Sequence, residues 1–487
     1  MKKLILNFHN NQKEGLMKKL ILTFLLFFLL FQLTPIKFTK SENYRFPAEI
    51  NFKLGDEYFY INGYKLYFDS NRNVKPVVKY GRTFVPLRSI VESIGGEVIW
   101  KPKTKEIEIK FKDNLIVLTL DKNSAFVNGK VKKIDNDENI KPFILYSRTY
   151  IPLRFIIENL QGEILYNSND KSITIKIDRE TKEILDSVGR KVVIPKKIYR
   201  IVSLYPMSTI IIFSLKDQDK LVGRVTGEKV VNYENIKKIF NDYDKLPEIG
   251  SFKDYNPETI LSLKPDIIIT PHYTNIKKLD ELNLPVVLLN HENPDELLKS
   301  IEILGNALNK IDESQKIKNY FENKRRFIET KTKGVEKRKV YIAGETILKS
   351  FGSDFYQTFM VDIAGGESVT KNIKGGKIEI SIEDLLRYNP EFIFLPTYFI
   401  GTKDELLKQK ELQEIKAIKE KKVYTFPSFI LSYDLPSVES ILGIVWLSEK
   451  INGDILKLNI RNEIKEFYKT IFDYNIKNEE IDEILKD

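Results

Sequence analysis

Asn256-Pro257-Glu258-Thr259-Ile260-Leu261-Ser262-Leu263-Lys264-Pro265-Asp266 runs straight into an apolar, β-branched segment at 267–270. The arrangement returns 125 positions later, where Ser381-Ile382-Glu383-Asp384-Leu385-Leu386-Arg387-Tyr388-Asn389-Pro390-Glu391 runs into Phe392-Ile393-Phe394-Leu395. Glu258 answers to Glu383, Leu261 to Leu386, Pro265 to Pro390 and Asp266 to Glu391. Each copy reads as a short helix, a Pro-acid turn and a buried parallel strand. One supersecondary unit used twice predicts a fold built twice, as two facing α/β lobes.

The flanking sequence keeps alternating strands with helices. Residues 178–186 are charged and lack an apolar period, so they read as a linker. A hairpin at 189–195 follows. Then Arg200-Ile201-Val202-Ser203-Leu204-Tyr205-Pro206-Met207-Ser208-Thr209 reads as a strand, a Pro turn and a helix start capped by Ser208 or Thr209. Residues 286–289 form a further buried strand, and 295–308 a helix with a Pro-Asp start. The alternation predicts mainly parallel sheets covered on both faces. Between lobe one (186–311) and lobe two (339–475), residues 312–331 carry charge all round, with Tyr320, Phe321 and Phe327 as an apolar stripe. A helix of that length spans about 30 Å, and one helical connection implies limited hinge motion.

Ahead of the lobes, residues 57–178 repeat with a period of 66. Tyr60-Ile61-Asn62-Gly63 returns as Phe126-Val127-Asn128-Gly129, an Asn-Gly hairpin signal each time. Arg82-Thr83-Phe84-Val85-Pro86-Leu87-Arg88 returns as Arg148-Thr149-Tyr150-Ile151-Pro152-Leu153-Arg154, and nine of nineteen positions match between 82–100 and 148–166, too many for chance. Each unit reads as a hairpin, a turn, a short helix (87–94, 153–160), a Gly turn and two strands, which makes an α+β tandem-repeat domain. The pattern resembles the copper amine oxidase N-terminal-like, or stalk, domain of Firmicute cell-surface proteins. The name implies no copper here, since the region has no His, Cys or Met. The paired arginines suit structural ion pairs or carbonyl caps within each unit; the alternative is an acidic wall polymer. A spacer or surface-association module is the simpler reading.

The chain has 487 residues, enough for about three domains. Its net charge of +10 suggests a nucleic-acid partner, but residues 1–41 hold seven lysines and one glutamate, so the remainder carries only +4. No nucleic-acid partner is needed. The absence of cysteine excludes disulfides, thiolate metal sites, cysteine catalysis and a lipidated N-terminal Cys, so the chain is not a lipoprotein. Lys18-Lys19 precede an apolar run at 20–33 broken only by Thr23 and Gln32. Residues 1–41 therefore read as a signal peptide, cut before Glu42, or as an uncleaved N-terminal anchor. Residues 1–6 echo 17–22, which makes Met17 an alternative start to Met1. In each case the rest works outside the cytoplasm, at the cell surface.

The 200–209 stretch carries a second resemblance, together with Leu246-Pro247-Glu248-Ile249-Gly250-Ser251-Phe252, Leu263-Lys264-Pro265-Asp266, Ala364-Gly365-Gly366 and Tyr433-Asp434-Leu435-Pro436-Ser437. In number and order these motifs are similar to the iron-siderophore and cobalamin class of ABC-transporter solute-binding proteins, over 186–475. The resemblance implies two α/β lobes joined by a long helix and a metal-chelate ligand: ferric siderophore, corrinoid or haem, with a molybdate-type oxyanion also suiting the fold. It implies no catalysis and no cofactor, and partnership with a permease and its ATPase. It further implies that Glu258 and Glu383, one per lobe, dock onto permease arginines; as helix-start acids they also favour their own helix dipoles.

In open α/β sheets, ligands bind beyond the carboxyl ends of the strands. That rule selects Tyr205, His272 with Tyr273, His291, residues 349–356, and Tyr398. Phe252 stands six before Glu258, where the resemblance implies a stacking ring, while Lys377 holds the matching place before Glu383. With Tyr255 and Tyr433 these aromatics fit a large planar or chelate ligand; Phe355 is the aromatic best suited to the core instead. His272 and His291 are ligand candidates, although strand-end histidines also serve as loop hydrogen-bonders. Lys253, Lys371, Lys374 and Lys377 are candidates to attract an anionic chelate. No nucleophile elbow, metal-ligand spacing or phosphate loop argues for an enzyme. The expected function is the extracytoplasmic solute-binding component of an ABC importer for a metal chelate. The alternative is a cell-wall-associated surface protein with a non-transport binding fold.

Overall fold

A computed structural model describes residues 45–226 and 230–486, so the export segment and the two candidate starts lie outside the described residues. Phe46–Asp487 form one compact unit. In the tandem-repeat domain, Asn62 and Asn128 each take a φ of 50° and turn the hairpins Tyr58–Ile61 with Tyr64–Tyr67 and Ser124–Val127 with Lys130–Lys133. The strands Arg82–Pro86 and Arg148–Pro152 lie antiparallel with Val85 opposite Ile151, so the units meet about a local two-fold axis. That crossing carries each arginine to the other unit. Arg82 binds Asp135 at 2.7 Å and Arg148 binds Asp69 at 2.5 Å, so these pairs join the repeats instead of bracing each one internally. Arg88 and Arg154 pair within their own helices, with Glu92 and Glu158. Strand Pro47–Lys53, ahead of position 57, pairs along its whole length with Ser172–Asp178.

Lobe one holds the parallel strands Ile201–Ser203, Ile267–Pro271 and Val286–Leu289, in that order. Lobe two holds Glu367–Ser368, Lys339–Ile342, Phe392–Leu395 and Val423–Thr425, also parallel. The duplicated helices are Pro257–Ser262 and Ile382–Tyr388. Asn256 caps the first by accepting from Thr259 N–H, and Ser381 forms a capping box with Asp384 on the second. Helix Pro206–Ser214 begins directly at its proline, with Ser208 and Thr209 inside it instead of at its cap. Helix Ile311–Thr332 joins the lobes and buries Ile317, Phe321 and Ile328, whereas Phe327 stays 38% exposed. One apolar core continues through both lobes and the helix Ser440–Leu456. There Gly443 permits close approach, since a Cβ would stand 2.1 Å from the Tyr433 carbonyl oxygen.

The charged stretch expected as a linker is a built junction. Arg179 and Asp266 are 4% and 2% exposed and form an ion pair. Glu180, also buried, accepts from Lys112 N–H and pairs with Lys196. Thr181–Leu185 pairs with Lys191–Pro195. Asp266 further accepts from the N–H groups of Tyr199 (2.7 Å) and Arg200 (3.2 Å), and Arg200 reaches the carbonyls of Leu263 and Asn62. The stretch reads as charged because Arg179 and Glu180 meet polar partners across the junction, while Glu183 and Asp186 pair with Lys191 and Arg190 where the adjoining strand begins. Asp266 precedes strand Ile267–Pro271, so the tandem-repeat domain rests on the end of lobe one opposite the carboxyl ends of its strands. Glu391, its counterpart in lobe two, plays the matching local part by accepting from Lys339 N–H at 3.2 Å. Among the described residues no helix is long and apolar enough to cross a membrane.

Candidate functional site

The carboxyl ends of both sheets border one cavity of about 880 Å³. Its lobe-one wall is a run of rings. His291 lies 5.6 Å from Tyr205, Tyr205 lies 5.4 Å from Phe252, and Phe252 lies 5.4 Å from Tyr273. The lobe-two wall carries Phe355 stacked on Phe351 at 5.3 Å, beside Tyr356 and Tyr398. Phe252 is held by the tight turn before it. Gly250 has a φ of 77°, and a Cβ there would meet the Asp254 carbonyl oxygen at 2.0 Å. The Phe252 N–H donates to the Leu204 carbonyl at 2.8 Å, which docks its loop beside the end of strand Ile201–Ser203. Lys377, at the matching place in the second copy, lines the same cavity. The duplication therefore keeps the position on the cavity wall and replaces a ring with a cation.

His291 is 4% exposed, and neither ring nitrogen has a hydrogen-bond partner among the described residues. Burial, with His272 nearby, pulls its pKa down to about 3, so its imidazole is neutral at neutral pH. Asp434 is fully buried and accepts from the Tyr398 hydroxyl at 3.0 Å, the Gln357 amide at 3.3 Å and the Ser432 hydroxyl. Burial pushes Asp434 and Tyr398 upward, so the phenol keeps its proton and donates it. Lys253, Glu292 and Glu345 add charge of both signs to the lining.

Of the sequence candidates, Tyr205, Phe252, Tyr273, His291 and Tyr398 meet at this cavity. Three others do not. Tyr433 is 1% exposed and its hydroxyl lies 3.2 Å from that of Tyr468, so its motif reaches the cavity through Leu435 and Pro436 instead. Tyr255 packs under the loop with the buried apolar cluster of lobe one. His272 stands behind the lining, 3.6 Å from the Glu292 carboxylate and edge-on to Tyr273. Phe355, expected in the core, lines the cavity. Lys371 pairs with Glu367 at 2.7 Å. Gln357 and Asp434 were missed as site residues. Asp434 sits inside a quoted motif, but nothing local marks its burial, and Gln357 carries no sequence signal. Glu258 and Glu383 are exposed on the first turns of their helices, and neither joins an ion pair among the described residues.

Residues 201–429 match the family model described as periplasmic binding protein. The two-lobed region is a periplasmic binding protein domain. Residues 60–175, and again 136–197, match the copper amine oxidase N-terminal domain, so this domain precedes the binding domain. The molybdate-binding protein MolA of Haemophilus influenzae is 26% identical over 324 residues, covering 59% of this chain and 91% of MolA. The high-affinity heme uptake system protein IsdE of Staphylococcus aureus is 27% identical over 222 residues, covering 42% of this chain and 73% of IsdE. A periplasmic solute binding protein from Veillonella parvula superposes with a TM-score of 0.56 and 26% identity, covering 63% of this chain and 97% of that one. These relatives of the binding domain are thus named for binding molybdate or solute, or for heme uptake.

Proposed function

We propose that the protein captures a metal chelate outside the cytoplasm and delivers it to the permease of an ABC importer. Cavity size and lining support this most. A space of about 880 Å³ walled by rings from both lobes suits a large organic ligand, and a tetrahedral oxyanion fills only a small part of it. Tyr205, Phe252, Tyr273, His291 and Tyr398 are the proposed contacts. A neutral, unpartnered imidazole is chemically fit to meet a metal centre, and Lys377 favours an anionic chelate. MolA is named for molybdate and IsdE for heme, and the cavity favours the larger of these ligand classes. Native mass spectrometry with haemin, a ferric hydroxamate and cyanocobalamin is expected to detect at least one complex at micromolar concentration. Binding of molybdate alone would remove the chelate reading.

Glu258 and Glu383 are the proposed permease contacts. Each begins a helix that leads down to a strand start, so both acids sit on the side where the strands end and the cavity opens. The tandem-repeat domain lies at the other end of lobe one and leaves that side clear. Reversing both charges to lysine is expected to lower uptake about tenfold or more while chelate affinity stays within twofold. Unchanged uptake would exclude the docking role.

A further inference from the structure

A buried polar corner of lobe two has one bonding position left open. Gln357, 1% exposed, stands on the first turn of helix Tyr356–Ile363 and lines the cavity. Its amide nitrogen donates to Asp434 Oδ2 at 3.3 Å. Asp434 also receives the hydroxyls of Tyr398 and Ser432, so its lone pairs face three donors. The three donors favour Asp434 as an accepting carboxylate against the upward push of burial, and a carboxylate accepts and does not donate, so it decides which end of the Gln357 amide turns toward it. The amide oxygen Oε1 is the end left over, and it is buried without a partner among the described residues. Tyr398 spends its proton on Asp434 and has none to offer that oxygen. Buried acceptors in folded proteins are nearly always met, and this unmet one belongs to a residue of the cavity lining.

We propose that Gln357, oriented by Asp434, is a specificity residue that demands a hydrogen-bond donor from the ligand, an amide N–H or hydroxyl on the periphery of the chelate. This rests on the chelate reading above. It divides the candidate ligands by chemistry. Corrinoids carry amide side chains, and many siderophores carry backbone amides. A haem edge bearing carboxylates, like an oxyanion, offers only acceptors at neutral pH and sets oxygen against oxygen at this corner. Asp434 is a positioning residue. It holds the amide in the orientation that presents Oε1 and does not itself line the cavity.

The test is isothermal titration of the full chain with cyanocobalamin and ferrioxamine B, which carry amide N–H groups, against haemin and molybdate, which do not. Wild type is expected to prefer an amide-bearing probe. Gln357→Leu is expected to weaken that probe about tenfold or more while haemin stays within twofold. Asp434→Asn, nearly isosteric, leaves the Gln357 amide free to turn and is expected to erase the preference; a melting temperature for each variant checks the fold. Wild-type-like affinity for the amide-bearing probe in both variants overturns the proposal and leaves the chelate reading standing. Tight binding of haemin alone does the same. If none of the chelates binds wild type, the chelate reading falls and this corner's role falls with it.

Discussion

Replacing Asp266 with alanine is expected to cost about 3–5 kcal/mol of unfolding free energy, because it leaves the buried Arg179 guanidinium without its counter-charge. The loss goes beyond one ion pair. The N–H groups of Tyr199 and Arg200 lose their acceptor at the same time, at the edge where strand Ile201–Ser203 begins. The exposed Arg88–Glu92 pair, with side chains 57% and 43% exposed, makes the contrast, and its removal should change stability by less than about 1 kcal/mol. Replacing Arg179 and Asp266 together with apolar residues of similar volume should recover most of the loss, since the penalty comes from an unpaired buried charge. Urea denaturation checks this, and a cost below about 1 kcal/mol for Asp266→Ala would mean the junction does not hold the two domains together. The junction matters for function because it fixes the tandem-repeat domain to the end of lobe one away from the cavity.

The second large effect depends on pH. Glu439 is fully buried and accepts from Ile430 N–H (3.2 Å), Leu431 N–H (2.9 Å) and the Tyr468 hydroxyl. Tyr433 is the other titratable group at this place, through its contact with Tyr468. Burial pushes the Glu439 carboxyl from its ordinary 4.5 up to about 7. A folded-state pKa above the unfolded one means that the native protein holds the proton longer. The stability it contributes is therefore full below about pH 4.5 and lost as pH rises through about 7, a change on the order of 3 kcal/mol. The loop so held touches both lobes: Ile430 accepts from Asn232 N–H and Phe429 from the Asn235 amide, each at 2.8 Å, while Leu435 and Pro436 line the cavity. His291 works in the opposite sense, since its lowered pKa removes stability as pH falls from 6.5 toward about 3. Urea midpoints at about pH 5 and about pH 8 are expected to differ less in Glu439→Gln than in wild type. An unchanged difference would exclude Glu439 as its source.

The duplicated helix, turn and strand were legible because their signals are local: an Asn or Ser cap, a proline turn and a β-branched or aromatic run. The strand-end rule reached Tyr205, Tyr273, His291 and Tyr398, and the resemblance reached Phe252. What escaped depends on distant partners. Tyr433 turned inward because Tyr468, 35 positions on, supplies a buried hydroxyl. The 178–186 stretch looked like a linker because Asp266, which neutralises Arg179, lies 87 positions away. Arg82 and Arg148 could be matched to the same acids within or between units, since both units carry the same residue types at the same places. Phe355 reads as core by composition, yet it stacks on Phe351 at the cavity wall. Nothing in sequence ties Gln357 to Asp434, 77 residues apart.

The central claim is that the ring-lined cavity between the lobes holds the chelate. The most direct measurement is a fluorescence-quenching titration of wild type and Phe252→Ala with the tightest-binding chelate of the panel. The account predicts saturable binding at micromolar concentration or below for wild type, weakened about tenfold or more in Phe252→Ala as a central stacking ring is lost. No saturable binding by any chelate, or equal affinity in the two proteins, would contradict it.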